Sequence, residues 1–146
     1  MRYLILFLFL ISNSNSYASD IIGTKLICTR IDNFEVGYYF NRPNSLIRYN
    51  IPVYYPGITE KELRSVGKNK RNYNPSPLRI YIIPRYGESN FIDRTNLNLI
   101  HVQRNQTEKI IGKCELMDNS FNMVRYFQDK TDAQYEEIIT SKNRKF

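Results

Sequence analysis

The chain has 146 residues, 21 Lys and Arg against 14 Asp and Glu, a formal net charge of +7, two cysteines, one histidine and no tryptophan. Two cysteines and a single histidine make a poor metal site, and neither a Gly-rich phosphate loop nor a Gly-x-Ser-x-Gly turn is present. The catalytic inventory is therefore thin, and the length suits one domain.

The N-terminus predicts an export signal over residues 1–18. Arg2 supplies the positive charge, Leu4 to Ile11 form an uninterrupted apolar run, and Ser16 and Ala18 occupy the small-residue positions before a cleavage site. The run is far short of the roughly 20 residues that span a bilayer. Later apolar runs are short and broken by charge, so no transmembrane segment is expected in the mature chain. The expected location is extracytoplasmic, either periplasmic or secreted. In that setting the pair Cys28 and Cys114 predicts a disulfide.

The predicted elements are short and mostly β. Thr24 to Ile31 is rich in β-branched residues and ends at Asp32-Asn33. Val36 to Phe40 follows, then the turn cluster Asn41-Arg42-Pro43-Asn44, then a strand from Ser45 to Tyr55 bent or edged at Pro52. Thr59-x-x-Glu62 reads as a capping box opening one helical turn. Residues 67–77 are polar, basic and interrupted by prolines, and read as a long loop. Leu78 to Ile83 returns as a strand. Phe91 to Arg94 and Leu97 to Val102 form a hairpin, and the phase shift from Leu97 and Leu99 to Ile100 and Val102 predicts a bulge or a strand end. Lys109 to Met117 is the last strand.

Beyond it the period lengthens. Phe121, Val124 and Phe127 recur every three residues, and Thr131-x-x-Gln134 repeats the capping pattern, so one or two short helices are expected. The predicted fold class is mainly β: a small antiparallel barrel or sandwich of six or seven strands over residues 19–118. A C-terminal helical segment at 119–146 packs on it or flanks it.

Three short patterns carry a resemblance: Leu26-Ile27-Cys28, Phe91-Ile92-Asp93-Arg94-Thr95-Asn96 and Gly112-Lys113-Cys114. The chain resembles the small uncharacterised exported proteins of AT-rich marine bacteria, over about half its length. The resemblance implies compartment, disulfide and fold, and no activity. The chain departs from the pattern in its basic stretch at 67–77 and in Asn96, where Gly is common.

Charge points to a surface. Between residues 61 and 85 the basic residues are Lys61, Arg64, Lys68, Lys70, Arg71, Arg79 and Arg85, opposed by Glu62 alone. This segment carries the mature chain's whole positive excess. Tyr73, Tyr81 and Tyr86 are interleaved with it, as in strips that bind anionic polymers or surfaces. The candidate ligand-binding residues are Lys68, Lys70, Arg71, Tyr73, Arg79, Tyr81 and Arg85.

The function these features favour is a non-enzymatic exported binding module contacting an anionic surface or polymer, whether lipid, glycan or nucleic acid, through residues 61–86. One alternative is an envelope protein-docking module using an edge strand or the C-terminal helix. A further alternative is a hydrolase using carboxylates among Glu35, Glu60, Glu62, Glu88 and Asp93. His101, set between Ile100 and Val102, reads as a packed strand residue. No cofactor, metal ligand or catalytic residue is assigned.

Overall fold

A computed structural model describes residues 20–84, 89–103 and 105–143. The expected signal peptide (1–18), Arg85, Tyr86, Glu88 and the last basic residues from 144 onward lie outside the described residues. Eight strands close into an antiparallel up-and-down barrel: β1 (Lys25–Arg30), β2 (Glu35–Arg42), β3 (Ser45–Asn50), β4 (Gly67–Pro75), β5 (Arg79–Ile82), β6 (Ser89–Asp93), β7 (Asn98–Val102) and β8 (Glu108–Met117). Each strand pairs with the next, and β1 pairs with β8 to complete the ring. The architecture is thus the expected mainly β barrel with a disulfide and a C-terminal helix, with eight strands in place of six or seven. No described helix is long and apolar enough to cross a membrane.

The additional strand is β4. The stretch expected to be a loop pairs with β3 from Gly67 to Asn72 and with β5 from Tyr73 to Pro75. Its Lys- and Asn-rich sequence lacks the apolar alternation of an ordinary half-buried strand. Pairing on both sides overrides that weak propensity, while the alternating side chains leave Lys68, Lys70, Asn72 and Asn74 in solvent. The expected bulge is present: the register between β7 and β8 shifts between Leu99 and Ile100.

Closure has a second consequence. A closed barrel has no free edge, so among the described strands none offers the edge that strand-addition docking requires. That route, expected as an alternative, loses its structural basis.

Strand alternation separates two cores. The interior holds Leu26, Cys28, Val36, Tyr38, Phe40, Leu46, Tyr73, Ile80, Ile92 and Leu99 among others. Phe40 and Tyr73 meet edge to face at 5.0 Å, and the Tyr73 hydroxyl donates to the Arg42 carbonyl at 3.1 Å. Cys28 and Cys114 are direct partners in the β1–β8 register and form a disulfide between them.

Outside the barrel, Ile27 and Tyr49 pack with Met123 and Phe127 of the C-terminal helix. Two helices lie among the described residues. The short α1 (Glu60–Leu63) carries the expected capping box between Thr59 and Glu62. The second, α2, runs unbroken from Met123 to Asn143. Asn122 caps it by accepting from the Arg125 amide at 3.0 Å. Thr131, expected to begin a helix, sits inside α2, buried, with its hydroxyl donating to the Phe127 carbonyl at 2.7 Å. A bare Cα at Gly37 admits the helix, because a Cβ there would collide with the side chains of Met123 and Phe127. Lys25 donates to the carbonyls of Asn119 and Phe121, and Glu35 binds both Lys130 (2.6 Å) and the Tyr126 hydroxyl (2.9 Å).

Denaturant unfolding midpoints check these contacts with three variants. Replacing both cysteines with Ala is expected to cost about 2–5 kcal/mol, since the crosslink spans a sequence separation of 86. Gly37→Val is expected to cost about 1–3 kcal/mol by overpacking the helix seat. Thr29→Val, on an exposed position of β1, should stay within about 0.5 kcal/mol of the parent.

Candidate ligand-binding site at the barrel mouth

An eight-stranded barrel has an interior just wide enough to be filled by side chains or to hold one small ligand. Here one end is filled and the other is not. A cavity of about 230 Å³ is lined by Arg30, Val36, Tyr38, Arg48, Arg71, Ile82, Ile83, Pro84, Asn90, Leu99 and Ile111. These residues come from all eight strands or their immediate ends, which places the cavity on the barrel axis.

The polar groups are gathered on the first half of the ring. Arg30 is the last residue of β1, and parity with Leu26 and Cys28 directs it inward. Tyr38 on β2 lies directly opposite Arg48 on β3. Arg71 on β4 pairs with Leu46, two residues before Arg48, so it is a diagonal neighbour on the same face. The second half of the ring contributes Ile82, Ile83, Pro84, Leu99 and Ile111, together with Asn90. His101 Nδ1 lies 2.9 Å from Asn90 Oδ1, so the single histidine braces a lining amide.

Tyr38 is the floor of the polar side. It is 3 % exposed. Burial pushes its phenol above the ordinary tyrosine value, against the opposing pull of Arg48, which also donates a hydrogen bond to it, and of Arg30 and Arg71. The phenol is neutral across the physiological range and serves Arg48 as an uncharged acceptor. Arg48 Nη1 also stands 3.4 Å from Asn50 Oδ1, a second neutral partner. Arg30 is paired with Asp32 at 3.2 Å, on the solvent side of the rim. Among the described lining residues there is no carboxylate. The arrangement can hold an anionic group: charge-assisted hydrogen bonds from guanidinium to carboxylate or phosphate are short and directional, and arginine's planar fork suits both.

The residues expected to bind a ligand are not brought together as one strip. Arg71 enters the mouth. Tyr73 is wholly buried in the barrel core. Lys68 and Lys70 project from the outer wall, and Lys68 Nζ stands 6.0 Å above the Tyr49 ring. Arg79 is held by Glu108 at 2.8 and 3.3 Å and lies over the Phe91 ring at 4.2 Å. Tyr81 is exposed beside Phe91. Sequence reasoning missed Arg30, Tyr38 and Arg48; the available signal was an arginine at an inward parity position near the end of two separate strands.

The acidic residues have structural partners. Glu35 is tied to Lys130 and Tyr126, Glu60 accepts from the Tyr135 hydroxyl, and Glu62 closes the α1 capping box. Asp93 accepts from the Thr95 hydroxyl and amide, and these bonds hold its carboxyl below the usual range. No group of three or more His, Cys, Asp or Glu side chains among the described residues is placed to hold a metal ion. Comparison with protein-family models, with curated proteins and with solved structures yields no match.

Arg48→Met removes the guanidinium that donates to the buried Tyr38 phenol, so it is expected to lower stability by about 1–3 kcal/mol, the cost of a buried polar group left unpaired. Calorimetric unfolding checks this, and an unchanged or raised midpoint would mean that Tyr38 does not depend on Arg48.

Proposed function

We propose that the protein is a non-enzymatic exported binding module that receives a small anionic group in the mouth of its barrel. The observation that carries this reading is the convergence of Arg30, Arg48 and Arg71, from three different strands, on one cavity whose remaining described lining is neutral. Arg48 is central, because its hydrogen-bond partners Tyr38 and Asn50 are both uncharged. A ligand oxygen arriving there gains a charge-assisted bond without displacing a protein carboxylate.

Size narrows the ligand. Pockets for whole small molecules are commonly about 300–1,000 Å³, and this one is about 230 Å³. It suits a headgroup-sized carboxylate, phosphate or sulfate, presented alone or at the end of a larger lipid or glycan. The apolar half of the ring, with Ile82, Leu99 and Ile111, offers a place for a short hydrocarbon body. Export is supported by the charged, apolar and small-residue pattern of residues 1–18 and by the disulfide, which persists in oxidising compartments.

The test is calorimetric titration of the disulfide-bonded protein with phosphate, sulfate and short carboxylates at constant ionic strength. Arg48→Met is expected to weaken binding at least about tenfold, the loss of one charge-assisted hydrogen bond worth about 1.5–3 kcal/mol. Lys68→Gln and Lys70→Gln should leave binding of these small anions within about twofold. Equal binding by the Arg48 variant, or loss confined to the lysine variants, would reject the mouth as the site.

A further inference from the structure

A second cavity, of about 400 Å³, lies on the outer wall and is lined by Asn41, Arg42, Ser45, Ile47, Lys68 and Lys70. Among the described residues it shares no lining residue with the mouth. Its shape originates in the β2–β3 hairpin, where the register shifts between Tyr39 and Arg42 so that Arg42 pairs with Ser45. Such an irregularity re-aims side chains and leaves a residue unpaired. On the adjoining strand, Lys70 is opposite Ile47 and Lys68 opposite Tyr49, so both lysines flank the depression.

Two observations at this place are independent of its charge. Ser45 is only 9 % exposed, and its Oγ has no hydrogen-bond partner. The Oδ1 of Asn41 is likewise buried and unpartnered. Among the described residues these are the two buried side-chain oxygens left unsatisfied, and both belong to residues lining this one cavity. Such atoms are few in native proteins, and each costs about 1–3 kcal/mol when left unpaired. Beside them stand three cations, Arg42, Lys68 and Lys70, none in an ion pair among the described residues.

The two kinds of group ask for different chemistry. The cations take acceptors. The Asn41 carbonyl oxygen takes only a donor, and the Ser45 hydroxyl takes either, by rotating between staggered wells. A bare carboxylate, sulfate or phosphate satisfies the cations and leaves Asn41 orphaned. A neutral polyol satisfies Asn41 and wastes the charge. We propose that the depression binds an anionic saccharide unit: its acidic group lies among Arg42, Lys68 and Lys70, and its hydroxyls pair with Asn41 Oδ1 and Ser45 Oγ.

The experiment is calorimetric titration of the disulfide-bonded protein with three probes: an oligogalacturonate, a neutral oligosaccharide of the same length, and inorganic sulfate. The oligogalacturonate is expected to bind, weakening steeply with added salt, and to exceed the other two at least tenfold. Ser45→Ala should weaken it about fivefold or more while leaving the unfolding midpoint unchanged or raised, since it deletes an unpaired hydroxyl; a purely packing role for Ser45 would lower the midpoint. Lys68→Gln with Lys70→Gln should abolish binding. In the Arg48→Met background, which silences the mouth, sulfate or the neutral sugar binding as tightly as the oligogalacturonate, or full affinity in Ser45→Ala, would overturn the saccharide assignment. Absence of oligogalacturonate binding at low salt would overturn the site. Loss in Arg48→Met with no loss in the lysine variants would move the sugar to the mouth.

Discussion

The pairing of β1 with β8 is the contact on which the rest of the molecule depends. A meander of eight strands, each paired with the next in sequence, is already local; joining its two ends is the long-range step, and its loop-closure entropy is the largest in the fold. Six register pairs from Lys25 to Arg30 make that join, and the Cys28–Cys114 disulfide holds it at the middle. Once it is made, every strand has two neighbours, and the interior becomes a tube with two ends.

The two ends are treated differently. Phe40, Leu46, Tyr73 and Ile92, all inside, fill one stretch of the tube with well-packed apolar and aromatic volume. Toward the other end the inward positions become Arg30, Arg48 and Arg71, and packing gives way to a cavity. Alternation makes this possible without exposing the core: the same β4 that sends Arg71 inward sends Lys68 and Lys70 outward. The helix α2 then covers the outer face of β1 to β3, seated on Gly37.

Much of the frame was legible in the sequence. Two cysteines in a chain with an export pattern predicted the disulfide, the Thr59–Glu62 spacing predicted a cap, and the phase change after Leu99 predicted the bulge. β4 was not legible, because its inward residues are Asn69, Arg71 and Tyr73 instead of an apolar alternation. β4 departs from the apolar pattern along the stretch where its Arg71 lines the mouth. The site itself was legible only in Arg71. Its partners Arg30, Tyr38 and Arg48 are scattered over 19 positions of chain, and only the register of the first three strands brings them together. The orphaned Ser45 and Asn41 oxygens were beyond reach for the same reason: an unmade hydrogen bond is a property of packing and leaves no mark in the sequence.

The barrel mouth is proposed to hold an anion. Its most direct test is a chemical-shift titration of the isotopically labelled protein with inorganic phosphate at fixed ionic strength. Saturating shifts at the amides of Val36, Tyr38, Arg48, Ile82 and Leu99, which surround the cavity from opposite sides of the ring, are the predicted result. Shifts that fail to saturate, or that saturate only on the outer wall around Lys68 and Lys70, would contradict it.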